Sequence, residues 1–477
     1  MKYSGIIAAF LVLLEGRQAA AFFVQKPYES TRILRPHAVR VNTHDLNKRD
    51  TAPAFESLQD EWSAGVVGVQ AMRFEKSTAV AEICKKDVHN IETAGQLYQL
   101  QQSCRSISGT LQIVDFMDPV IDLGGIQSIN GDLIIENLPE VVRIQGHNLA
   151  SVGGTFKIDS LTSLTSVYLP ALHHFDVMEW KVVPTLTSLS LAPNISHAKK
   201  VTISDTSLVG IDVLENIEDL EILNINNNRY MEYVKSNVKQ VHEQLSISSN
   251  ARELQVEMPS LLWANNLTVR DVASINFPRL QHVNKSLEII ENNFESFEAP
   301  LLKTIGGTLG VIQNSRLAQV NFSNVTTIQG GLMIANNSNI EKIDFLPELR
   351  EIGGAIQFIG SFHDTEFPKL RLVRGSALVR TTSSALDCGK WITPATGNSI
   401  IRGGRIVCTS GQSRNIARVS EDGKLLDHQE TQFDIKPDAT DKTNVGSSVV
   451  DKSKISSFGY SLALGWAVLM MCATSIQ

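Results

Sequence analysis

The chain lacks every short motif that announces a catalytic centre. Its 477 residues contain no H-E-x-x-H, no G-x-S-x-G, no phosphate-binding glycine loop and no C-x-x-C. Metalloprotease, serine-hydrolase, nucleotide-cleaving and dithiol chemistry therefore have no sequence support. Basic charge is also short. There are 43 Lys and Arg against 50 Asp and Glu, a net charge of −7, and no basic cluster interleaved with the aromatics, which make up only 6% of the chain. This argues against a nucleic-acid partner. Long hydrophobic runs are missing too. The two apolar stretches, Gly5 to Leu14 and about Phe458 to Ala473, are both shorter than the roughly 20 residues a helix needs to span a bilayer.

What the chain does have is a repeat. "IQGGLMIANNSNI" (328–340) has near copies in "IGGTLGVIQNSRL" (305–317), "IGGAIQFIGSF" (352–362), "INGDLIIENLP" (129–139) and "VGGTFKIDSLT" (152–162). The second glycines, Gly131, Gly154, Gly307, Gly331 and Gly354, give local steps of 23, 24 and 23 residues. A fixed period in the low twenties marks a solenoid, in which one coil cannot bury its own apolar side.

Each coil carries two apolar residues separated by one. The pairs are Leu111/Ile113, Leu133/Ile135, Phe156/Ile158, Val201/Ile203, Leu223/Ile225, Leu245/Ile247, Leu267/Val269, Leu287/Ile289, Leu309/Val311, Leu332/Ile334 and Ile356/Phe358. Period-two alternation predicts a short strand with one buried face. Two residues further on stand Asp115, Asn137, Ser160, Asp205, Asn227, Ser249, Asp271, Glu291, Gln313, Asn336 and Gly360, ten of eleven polar. Asn, Asp and Ser tolerate turn conformations and bond the backbone groups left over where a coil leaves its strand. Stacking would align these side chains as a ladder. The glycines before the strand fit a positive φ or a close backbone approach. Phrases such as "LPAL", "MPSL", "FPRL", "LPEL" and "FPKL" predict a second short strand or turn, with Pro presetting φ at a corner. The expected fold is all-β, a right-handed parallel β-solenoid of about 13 coils from residue 107 to 380.

Five cysteines occur. Cys84 and Cys104 flank the first coil, and Cys388 and Cys408 flank the last. Local pairing, Cys84–Cys104 and Cys388–Cys408, is expected, because either alternative would join opposite ends of a stack. Terminal coils expose an apolar interior and a sheet edge, so these bridges read as caps at both ends.

The first 21 residues have one lysine, an apolar core and Ala19-Ala20-Ala21, the order of a secretory signal cut after Ala21. Residues 22–80 form an extension outside the repeat, with a dibasic processing site at Lys48-Arg49, near 49. The solenoid domain is assigned to 81–410, a flexible stalk to 411–446 and a cleaved tail to 447–477. The small triplet Gly446-Ser447-Ser448 spans the start of that tail, and a polar spacer, Val449 to Ser457, and an apolar end come after it, the order of a GPI-attachment signal. Gly446 is the expected attachment residue, with Asn444 and Ser447 as alternatives. Cys472 would leave with the tail. N-x-[ST] sequons stand at Asn194, Asn266, Asn284, Asn321, Asn324 and Asn336. Asn336 lies in the polar column, where an inward side chain would bar a glycan.

The phrases "MPSLLWANNLTVRDV" (258–272), "ISDTSLVGIDVLENIEDLEILNINNN" (203–228) and "IGGAIQFIGSFHDTEFPKLRLVRG" (352–375) resemble the fungal GPI-anchored cell-wall protein family of the extracellular-mutant and sporulation-specific type. The repeats of that family resemble the ligand-binding L domains of insulin and EGF receptors. The likeness runs from about Cys84 to Cys408. It implies a secreted, N-glycosylated, non-enzymatic β-solenoid needed for cell-wall organisation at the outer face of the plasma membrane. Wall polysaccharides or wall proteins would be the partners, and the membrane would be reached through the lipid anchor. No catalytic residue, metal site or cofactor is expected. The histidines, His147, His173, His174, His242, His282 and His363 among them, read as scattered surface residues. Two other readings remain. A receptor-like module would bind protein or glycan on its sheet. A β-helix polysaccharide-modifying enzyme would need acidic and basic residues converging from successive coils, whereas Asp115, Asp205 and Asp271 share a column several coils apart.

Overall fold

The computed structural model describes residues 82–392 and 398–432. The expected signal (1–21), the 22–80 extension, the expected stalk beyond residue 432 and the expected GPI-attachment region, Gly446 included, lie outside these residues.

The alternating apolar pairs form the strands predicted for them, and every strand in the stack pairs in parallel with its neighbours. Leu111 pairs with Leu133, Leu133 with Phe156, Phe156 with Met178 and Met178 with Val201. Further along, Leu287 pairs with Leu309, Leu309 with Leu332 and Leu332 with Ile356. The result is a parallel β-solenoid of about 13 turns with one continuous sheet of 25 strands. A rung is added at each end, Val88–Ile91 before the first repeat and Arg405–Ser410 after the last. Met178 and Trp180 fill the column in the coil whose pattern is hardest to see, and both are fully buried.

Leu111, Leu133, Ile135, Leu287, Leu309 and Leu332 are completely buried. Each contributes about 1.5–3 kcal/mol of transfer free energy. A second side of the coil carries short parallel sheets, beginning with Val120–Asp122, Arg143–Gln145, Ser166–Leu169 and Ser188–Leu191. The Pro-containing phrases follow these strands as tight turns. Leu172 N donates to Leu169 O at 3.0 Å, and Leu280 N to Phe277 O at 3.2 Å. That places Pro170 and Pro278 at the second turn position, which their fixed φ suits. Inside, Phe277, Phe297, Phe322 and Phe345 stack coil upon coil, with centroids 5.7–6.2 Å apart.

The polar column behaves as a backbone device. Asp115, Asn137, Ser160, Asp205, Asn227, Ser249, Asp271, Glu291, Gln313 and Asn336 all have φ between 49° and 59°, the left-handed region that Asn and Asp tolerate best. Val182, with φ 51°, occupies the same place in its coil. The expected ladder of these side chains forms only at one step among the described residues, where Asn227 Nδ2 donates to Asp205 Oδ1. A left-handed residue turns the chain, and the side chain that points inward belongs to the next residue. There the buried set Asn228, Asn250, Asn292, Asn314 and Asn337 forms the ladder instead. Asn292 N and Nδ2 both donate to Asn314 Oδ1 (2.9 and 3.0 Å), and Asn314 N and Nδ2 to Asn337 Oδ1 (2.9 and 3.1 Å). Each amide also returns a bond to the strand of an earlier coil, as Asn314 Nδ2 does to Ile289 O at 2.9 Å.

The glycines serve close approach, not positive φ. A Cβ on Gly306 would lie 2.0 Å from Asn284 O, and one on Gly353 2.1 Å from Gln329 O, so coils could not stack at these corners with any larger residue.

Both ends are capped. The helix Ala94–Ser103 begins at Thr93, whose side chain accepts from Gln96 N, and buries Leu97 and Leu100 at the N-terminal end. The bridges Cys84–Cys104 and Cys388–Cys408 are formed, with Cα atoms 5.6 and 5.7 Å apart. At the other end Trp391 packs against Phe358 and Phe367 and donates to Thr365 Oγ1 at 3.2 Å. The expected stalk is corrected in its first part. Ser413–Val419 pairs antiparallel with Arg405–Ser410, and Leu425–Gln432 pairs antiparallel with Ser413–Val419 in turn, so the edge of the last parallel rung is covered where a flexible segment was expected.

Candidate functional site

No sequon asparagine is buried. Asn194, Asn284, Asn324 and Asn336 are exposed, and Asn266 and Asn321 are partly so. The concern over Asn336 is answered by its left-handed conformation: it faces solvent, while its neighbour Asn337 points inward. Asn324 Nδ2 donates to Pro300 O at 2.6 Å and Asn284 Nδ2 to Asn265 Oδ1 at 2.8 Å, contacts at the surface of turns.

The outward face of the main sheet changes chemistry along its length. Near the first coils it is ionic, with Lys157 Nζ 2.7 Å from Glu136 Oε2 and Lys181 Nζ 2.8 Å from Glu179 Oε1. In the middle it carries the neutral polar residues Thr202, Asn224, Ser246 and Thr268, in register across strands. Toward the last coils Ile290, Ile312, Met333 and Ile359 make it aliphatic. Glu288 stands at the join, next to Gly310 in the adjoining strand. Burial pushes its carboxyl above the usual range, and a hydrogen bond with Thr268 opposes this only in part.

The histidines are not all scattered. His174 and His197 occupy matching positions in adjacent coils, and their rings stack with centroids 4.5 Å apart and 12° between planes. Asp176 joins them. Its Oδ1 lies 2.9 Å from His197 Nε2 and its Oδ2 2.6 Å from Lys199 Nζ. Burial works to raise the Asp176 carboxyl, but the hydrogen bonds from Lys199 and His197 outweigh it and hold the group below its ordinary value. Burial, then the neighbouring His197, lowers the His174 imidazole. Next to this cluster runs a shallow cleft lined by Lys199, Asn216, Asp219, Glu221 and His242.

The local cause is a shortened coil. From Ser151 to Phe156 the chain takes five steps through Gly153-Gly154, but from His174 to Met178 it takes four, through Asp176 alone. The strand His174–Lys181 accommodates this with a register shift between Phe175 and Val177. The coils at His197 and Asp219 are shortened in the same way, placing Lys199 and Glu221 where the glycine pair would be. Loss of the glycine pair in successive coils was the sequence signal for this cluster.

The Receptor L domain family matches residues 283–363. Sporulation-specific protein 22 of Saccharomyces cerevisiae is 43% identical over 82% of this chain and 83% of that protein. The chain belongs to the fungal family of sporulation-specific and Ecm33-type cell-wall proteins. Sporulation-specific protein 2 of the same yeast is 47% identical over 75% of the chain and 72% of that relative. The ecm33 protein of Aspergillus fumigatus is 30% identical over 63% of the chain and 75% of its own length. The names carried in the family include cell wall mannoprotein and cell surface GPI-anchored protein. The matched L-domain segment lies within the most regular coils, whereas the histidine cluster lies outside it.

Proposed function

We propose that this family member is a non-catalytic, N-glycosylated wall protein, carried through the secretory pathway and held at the outer face of the plasma membrane by a GPI anchor at Gly446, where it contributes to cell-wall organisation through contacts with wall polysaccharides or wall proteins. The observation that carries the reading is the likeness across most of the chain to cell-wall and cell-surface proteins. The surface placement of the sequon asparagines supports it, since an acceptor must be reached by the transferase. So does the row of neutral polar residues Thr202, Asn224, Ser246 and Thr268 in register along the outward face of the middle coils, the kind of sheet face solenoids use for binding.

The test is made on membranes from cells expressing the full chain. Phosphatidylinositol-specific phospholipase is expected to release the protein, and endoglycosidase treatment to lower its apparent mass. A protein that stays on the membrane, keeps its last ten residues and shows no glycan would overturn the reading.

A further inference from the structure

We propose that His174, Asp176 and His197 form a binding site for a divalent transition-metal ion of the zinc type. Their donor atoms already lie within 4.8 Å of one another. Three donors of a tetrahedral zinc ion stand roughly 3.3 Å apart, given metal–ligand bonds of about 2.0–2.1 Å, so no pair of donors needs to close by more than about 1.5 Å. All three are half-buried, which leaves room for that movement and for a water as fourth ligand. The donor set itself selects the metal: two imidazoles and one carboxylate suit zinc, copper or nickel, whereas calcium and magnesium prefer oxygen alone. The backbone supplies preorganisation. His174 and His197 are held by parallel pairing of adjacent coils, and the shortened coil brings Asp176 onto the same edge.

Two changes accompany binding. His197 Nε2, which now donates to Asp176 Oδ1, would give its lone pair to the metal, its proton passing to Nδ1 or to solvent. The Lys199 ammonium, which now neutralises Asp176, would leave the carboxylate. Lys199 is thus a competing cation built into the site, and its removal strengthens binding.

Zinc is titrated calorimetrically into the mature protein, extracted from membranes of cells expressing the full chain and purified, with a chelator exchange to fix the affinity. One zinc per chain is expected. His174→Ala and His197→Ala should each weaken it at least about tenfold. Lys199→Gln should tighten it. His173→Ala should leave it unchanged, because the His173 ring is turned to Ala171 O at 2.9 Å. Thermal melting of each variant without zinc separates lost ligation from lost folding. Absence of binding to the parent chain, or binding that persists at full strength in both His174→Ala and His197→Ala, would overturn the proposal.

Discussion

Asn314 Oδ1 accepts two hydrogen bonds from Asn292, one from the backbone N–H and one from the side-chain amide, at 2.9 and 3.0 Å. Both residues are essentially without solvent contact. A buried donor left unpaired costs about 1–3 kcal/mol, whereas a satisfied one contributes little net. The ladder's importance therefore lies in what its removal exposes.

Asn314→Ala should destabilise its coils by about 3 kcal/mol, since Asn292 loses its acceptor twice over. Repeat arrays can open locally, so the measurement is native-state hydrogen exchange. The amides of Asn292 and its strand neighbours should exchange faster, while those of the first coils keep their rates. Unchanged protection at Asn292 would count against the ladder.

Val182 holds a left-handed backbone with a β-branched side chain that is 43% exposed. The equivalent residues one coil before and after are Ser160 and Asp205, in the same conformation. Left-handed geometry costs most residues roughly 1–2 kcal/mol and Asn less. Val182→Asn should thus stabilise the protein by about 1 kcal/mol, read as a higher melting temperature. A fall would show that the Val182 side chain contributes packing that outweighs its strain.

Glu288 provides a pH prediction. Burial raises its carboxyl in the folded state above the ordinary value of 4.5. The folded chain then holds the proton more tightly than the unfolded chain. Stability should fall as pH rises from 4.5 through the folded-state value, and stay lowered above it. Glu288→Gln removes that loss, so the variant should melt higher than the parent at pH 7, and the gap should close below pH 4.5. Equal melting temperatures at pH 7 would refute the desolvated carboxyl.

Much of the fold was legible because one interaction, apolar burial at period two, repeats in every coil. Leu309 and Val311 alternate on the strand and stack on Leu332 and Ile334, and the same spacing recurs throughout. The cysteine caps were legible because a stack leaves each cysteine one partner within reach. Other parts were hidden for physical reasons. Counting by twos breaks at a left-handed residue, so the ladder was placed on Asn336 when Asn337 carries it. The strand Ser413–Val419 repeats nothing. Its pairing with Arg405–Ser410 is antiparallel and follows from what covers an edge, not from any period. The histidine cluster depends on coil length. Asp176 meets His197 only because a residue is missing from the glycine corner.

The stacking direction has a mechanical consequence. Each rung's ladder bonds run along the stack, so a pull between its two ends puts the same load on every rung in series, and the rungs give way one at a time. Tension would peel the protein coil by coil, each release lengthening it by one repeat. A repeat of 23 residues extends to about 80 Å. The bridge Cys388–Cys408 ties the final parallel rung to the cap, and Cys84–Cys104 ties the turn before the first rung to the end of the cap helix, so the stretch at each end is closed covalently and peeling would spread through the coils between. A layer of such molecules would yield in discrete steps under strain and recoil when the strain is removed.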